Sequence, residues 1–207
     1  MPVDLEEMLS PGAAAVLTME VQRSVVGDLA VLPALTGAVA EVGLLPRIDR
    51  LVRGARSAGV PVVHCTAGED AVPSAPPNYP GGSALARRRG TPEVRAAGSG
   101  AVAEVDRGSD LVVERHHGVS PFTGTELDAV LRRLGVRTVV ACGVSLNVGI
   151  MGLTIEAVSL GYRVVVATDA VVGVPTEYGR AVLDNTMPFL ATRLTVAELC
   201  SIWEKRP

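Results

Sequence analysis

Cysteine is scarce in this chain: Cys65, Cys142 and Cys200 are the only three in 207 residues. An odd, sparse count without CxxC spacing argues against a disulfide framework, a structural zinc site and a dithiol redox centre, and for free thiols in a reducing compartment. Aromatic residues are nearly as rare, with two Phe, three Tyr and one Trp. That leaves few platforms for stacking bases or sugars. No excess of one charge exists either: 19 basic against 22 acidic residues give a net charge of −3. Such a balance provides no field for nucleic acid or an anionic membrane surface. The one arginine cluster, Arg87-Arg88-Arg89, reads as a solvated loop.

Several motifs are missing as well. No apolar run approaches the roughly 20 residues of a membrane helix. The opening MPVDLEEMLSPGAA lacks the basic and apolar regions of a signal peptide. GxGxxG and P-loop patterns are absent after the first apolar run, so nucleotide binding has no support. The three histidines, His64, His116 and His117, show no metal-ligand spacing. The expectation is therefore a cytoplasmic protein without metal or cofactor, having neither nucleic acid nor membrane as partner and acting on a small molecule.

What is present is aliphatic. Hydrophobic residues make up 48% and charged residues 20% of the chain, enough to close one core in one domain over 1–207. Five apolar runs read as strands: 13–19, 60–66, 110–116, 137–143 and 162–169, with a shorter sixth at 192–196. They are continuous rather than alternating, as strands covered on both faces should be. Helical patterns lie between them. LLPRIDRLVRGARSAG sets Leu44, Ile48, Leu51 and Val52 on one face and stops at Gly59. TGTELDAVLRRLG opens with Thr123 and Glu126 in capping-box spacing. Strict alternation of strand and helix predicts an α/β fold, a three-layer domain with a six-stranded, mostly parallel sheet and helices on both faces. The segment 67–108, rich in Pro, Gly, Ala and Ser, is too long for a simple connection and reads as a lid or substrate loop.

In open sheets of this kind ligands bind beyond the carboxyl ends of the strands. Glu20 ends the first apolar run, where a desolvated carboxylate suits proton transfer. ERHHGVSPF (114–122) brings His116 and His117, which an extended backbone points to opposite sides, so at most one of them faces a given pocket. GVSLNVG (143–149) reads as a strand breaking into a helix, with Asn147 as its cap and a bare Gly149 that lets a ligand approach the positive first turn. Ser145 lacks a GxSxG elbow and reads as a turn hydroxyl rather than a nucleophile.

Taken together, Glu20-Val21-Gln22, His116, SPFTGTELDAVLRRLGV, GVSLNVG and VVVATDA resemble the isochorismatase-like, or cysteine, hydrolase superfamily over most of the chain. The resemblance implies a six-stranded parallel sheet, a homodimer or homotetramer, and a non-proline cis peptide between Gly143 and Val144. It also implies that the family's Asp, Lys and Cys are replaced here by Glu20, His116 and Gly149. With no thiol at 149, Cys65 is only a weak substitute nucleophile, and Cys142 reads as core. Members that cleave an enol ether also carry Gly at this place; protonating such a bond needs an acid and no nucleophilic side chain. An anionic substrate would rest on the helix N-terminus or on Arg115. The expected site is Glu20, His116 and Gly149 for catalysis, with Gln22, Arg115, Val144, Ser145, Asn147 and Phe122 around the substrate. Three functions compete: a cofactor-free hydrolase, a silent or re-purposed member binding a small ligand or protein in the old pocket, and an isomerase or lyase using Glu20 and His116.

Overall fold

In the computed structural model, which describes residues 4–68, 80, 96–105 and 108–205, the six apolar runs form one sheet. The chain runs α1 (Leu5–Met8), β1 (Ala14–Met19), α2 (Pro33–Glu41), α3 (Leu44–Ser57), β2 (Val62–Ala67) and β3 (Leu111–Arg115). It continues through α4 (Leu127–Arg133), β4 (Thr138–Val144), a π-helical turn (Leu146–Ile150), α5 (Met151–Ser159) and β5 (Arg163–Val172). It ends with α6 (Thr176–Asn185), a short 3-10 turn (Met187–Phe189), β6 (Thr192–Leu194) and α7 (Val196–Glu204). The strand order is β3-β2-β1-β4-β5-β6 and every pair is parallel. The expected α/β architecture is therefore present, and the sheet is wholly rather than mostly parallel.

Why the middle strands lack alternation is visible in their burial. Along β1, Ala14 and Val16 enter one core with α2, α3 and α7, while Ala15, Leu17 and Met19 enter the other. Leu44, Ile48, Leu51 and Val52, the face predicted for α3, are all fully buried in the first core. Burying such side chains contributes roughly 1.5–3 kcal/mol each. The edge strand β3 departs from the pattern, with Leu111 and Val112 exposed.

Local details correct several expectations. The capping box at Thr123 and Glu126 does not form: α4 starts at Leu127, whose N–H donates to Thr125 Oγ1 at 3.2 Å, and Thr123 instead donates to Glu156 of α5. The tight turn closed by Thr125 N–H on the Phe122 carbonyl uses up the residues the box needed. A complete capping box stands at Thr195 and Glu198, opening α7. The non-proline cis peptide lies one bond later than expected, between Val144 and Ser145. Most of the 67–108 segment, including Arg87–Arg89, lies outside the described residues.

The order in which strands are added reverses between β1 and β4, so the switch point is where Glu20 follows β1 and Ser145 follows β4. The two strands meet tightly there. Gly143 has φ +109, and a Cβ on it would collide with the Met19 carbonyl. No helix among the described residues is long and apolar enough to cross a membrane.

Candidate active site

At the end of β1 the backbone stays tied to β2 through Glu20 N–H on the Cys65 carbonyl at 2.9 Å. Glu20 itself takes φ +50, the one non-glycine residue among those described with positive φ. That strained conformation turns its side chain away from the strand alternation, and such outliers gather at functional sites. The carboxylate meets Nη2 of Arg115, the last residue of β3. Arg115 is 6% exposed; its Nε donates to the Gly118 carbonyl at 3.1 Å, and its Nη1 is buried with no partner among the described residues.

His116, expected as the partner of Glu20, follows Arg115 and so projects to the other side of the strand. Its side chain is 43% exposed and its Nδ1 lies 3.7 Å from Glu114 Oε1. The cation on Glu20 is Arg115. His117 is exposed and leans over Gly124, where an added Cβ would come within 2.8 Å of Nε2.

The corner after β4 is built differently from a simple helix start. Ser145 makes no side-chain cap, and its carbonyl accepts from both Val148 N–H (3.1 Å) and Ile150 N–H (3.0 Å) in the π turn. Asn147 does not cap the helix either. Its amide donates to the Val174 carbonyl at 3.1 Å and accepts from Val174 N–H at 3.3 Å, fastening the loop after β5 to this corner. Val144 is fully buried in the core. The space that a bare Gly149 leaves is taken by Met19. An added Cβ at 149 would stand 3.0 Å from the Val144 carbonyl oxygen and 3.1 Å from Met19 Cε.

None of the three cysteines presents a reactive thiol. Cys65 is buried beneath Arg115, and burial pushes its thiol up to about 12 against the smaller opposing pull of Arg115. Burial raises Cys142 and Cys200 as well. A thiol of this kind is not a nucleophile at neutral pH. Among the described residues no group of three or more His, Cys, Asp or Glu side chains is placed to hold a metal ion.

Two of the residues expected around the substrate serve the scaffold. Gln22 is fully buried; its amide donates to the carbonyls of Ala67 (3.0 Å) and Gly98 (3.4 Å) and accepts from Ala67 N–H at 2.7 Å. Phe122 packs in the core with its ring centroid 5.9 Å from that of Tyr162.

A second polar assembly has no counterpart in the sequence reading. Thr18 Oγ1 lies 2.8 Å from His64 Nδ1, His64 Nε2 lies 3.0 Å from Asp110 Oδ2, and Asp110 receives both Nε and Nη2 of Arg56. Thr18 and His64 are each 1% exposed. The available signal was a Thr and a His inside otherwise apolar strands, since buried polar groups there need partners.

With this geometry established, comparison with known proteins identifies the family. The family model described as the isochorismatase domain matches residues 14–198, so the chain belongs to the isochorismatase family. Over 94 residues it is 36% identical to the uncharacterized isochorismatase family protein YwoC of Bacillus subtilis (strain 168), spanning 45% of this chain and about half (49%) of that relative. It is 29% identical to the ureidoacrylate amidohydrolase RutB of Rhizobium rhizogenes (strain K84 / ATCC BAA-868), over 93% of this chain and 84% of the relative. Among solved structures, an isochorismatase family protein from Desulfovibrio vulgaris subsp. vulgaris str. Hildenborough superposes with a TM-score of 0.76 at 25% identity, covering 93% of this chain and 99% of that one.

Proposed function

We propose that this protein hydrolyses a small molecule by proton transfer at Glu20, without a covalent cysteine intermediate. The observation that carries the reading is the Glu20–Arg115 pair at the switch point of the sheet. Hydrolysis moves one proton from water to the leaving group, and a single carboxylate can take it and return it. For an enol ether the order is reversed: the acid form protonates carbon, water captures the oxocarbenium ion, the carboxylate recovers the proton from that water, and the resulting hemiketal collapses to a carbonyl compound as its C–O bond breaks and the departing alcohol oxygen takes a proton. Arg115 holds the carboxylate in one orientation and supplies the positive charge that the family resemblance gives to a lysine. His116 stands half-exposed at the end of the same strand, with its Nδ1 3.7 Å from Glu114 Oε1. The similarity to a protein named as an amidohydrolase supports hydrolysis as the reaction class. Gly149, closed over by Met19, and the protonated thiols argue against the covalent route.

Turnover of a panel of enol ethers, amides and small esters tests this, with thiol alkylation as control. The expected result is turnover insensitive to alkylation, abolished in Glu20→Gln while ligand binding persists. Alkylation-sensitive amide hydrolysis would refute the mechanism, and silence across the panel would point to a binding protein on the same frame.

A further inference from the structure

Arg115 is the most deeply buried guanidinium among the described residues. Two of its three nitrogens are engaged, Nε by the Gly118 carbonyl and Nη2 by Glu20, while Nη1 is buried and has no acceptor among the described residues. Leaving a buried charged donor unmatched costs about 1–3 kcal/mol or more, so such an atom in a native fold calls for an explanation. Arg56 also has an unmatched Nη1, but its other nitrogens hold Asp110 and the Val105 carbonyl on the far side of the sheet from Met19. Arg115 instead stands at the carboxyl edge, over Cys65 and beside Glu20.

We propose that Arg115 Nη1 is the receptor for a carboxylate on the substrate, so that the protein acts on small organic acids rather than on neutral amides or ethers. This rests on the hydrolase reading above and names the substrate class of the same site. A guanidinium fork presents separate N–H groups to two planar acceptors, which an ammonium cannot do with the same geometry. Glu20 takes one side of the fork and the substrate carboxylate the other.

Two carboxylates on one guanidinium leave one negative charge uncompensated, an arrangement that favours proton uptake as the ligand enters. Among the described residues, the titratable groups facing this point are Glu20 from β1, Cys65 from β2 and Arg115 from β3; Val144–Ile150 of β4 and the π turn contribute none, and Glu114, His116 and His117 are exposed around the end of β3. Cys65 already holds its proton, which leaves the carboxylate pair to accept the incoming one. That proton is the one an acid-catalysed hydrolysis consumes first.

Isothermal titration with acetate, pyruvate and benzoate, each against its amide, tests the assignment. At least one carboxylate is expected to bind tenfold or more tightly than its amide, to tighten as pH falls from 8 to 6, and to take up a proton on binding. Arg115→Gln should erase the preference. Arg115→Lys, which keeps the charge and guards against a folding defect, should reduce it several-fold. Glu20→Gln should bind the carboxylate at least as well as wild type while losing turnover. Equal affinity for acid and amide, a preference that survives Arg115→Gln in folded protein, or binding of none of the carboxylates overturns the proposal. A Glu20→Gln variant with unchanged turnover but intact carboxylate preference would defeat the catalytic reading alone.

Discussion

Two arginine–carboxylate pairs flank strand β3, about 16 Å apart along a five-residue rise. At the amino end, Asp110 is clasped by Arg56 through two bonds and by His64 through a third, and the chain of contacts ends on Thr18. Burial opposes the charge on Asp110, but Arg56 and His64 outweigh it and hold the carboxyl below its usual range. At the carboxyl end, Arg115 holds Glu20 on a residue of positive φ, at the switch point of the sheet. Both pairs use the same chemistry. Their positions on the sheet separate them: one knits strands to α3 beneath the surface, the other lies at the carboxyl edge, where open α/β sheets as a class bind their ligands.

This contrast is broken most forcefully by removing each carboxylate in turn. Glu20→Gln should lower turnover by about a hundredfold to ten-thousandfold, the range of general acid–base catalysis, and cost less stability than the loss of Asp110, because the amide oxygen can still accept from Arg115. Asp110→Ala should do the opposite. Leaving Arg56 and His64 without their anion should cost about 3 kcal/mol of stability in urea unfolding, with kcat of the folded fraction altered less than threefold. The Asp110 contribution is fully present above about pH 4 and is lost as pH falls through its depressed native value. The stability gap between wild type and Asp110→Asn should accordingly close in acid; a gap that widens there would reverse the assignment.

A smaller effect sharpens the comparison from the side of Gly149. Gly149→Cys crowds the Val144 carbonyl and Met19 Cε, so overpacking should cost about 1–3 kcal/mol. It should yield no alkylation-sensitive activity. Adding Met19→Ala should recover part of that loss by making room for the thiol. Smallest of all, Cys65→Ala should leave kcat/KM within about twofold, since a thiol that stays protonated does no chemistry at neutral pH.

The fold was legible because the signals that specify it are local. Continuous apolar runs gave the strands, and the spacing of Leu44, Ile48, Leu51 and Val52 gave the buried face of α3. The placement of Glu20 at a strand end also followed from the sequence. What joins residues distant in the chain did not. Arg115 is 95 positions from Glu20 and His64 is 46 from both Thr18 and Asp110, separations on which no periodicity reports. The family pattern drew attention to His116, one residue past the side chain that reaches Glu20, and a one-residue step along a strand exchanges its faces. Met19 was legible as core, but its closure over Gly149 depends on how β1 packs against the turn after β4.

Gln22 carries a consequence for how such a protein diversifies. One buried amide fastens both stems from which residues 69–95 depart and to which they return, at Ala67 and Gly98, and it does so two residues from Glu20. Between fixed anchors the entropy of closure depends only weakly on chain length, rising by about 0.6 kcal/mol for each doubling. Insertions, deletions and exchanges in that stretch are thereby uncoupled from the aim of the carboxylate, which makes Gln22 a natural seam for grafting one relative's loop onto another's sheet.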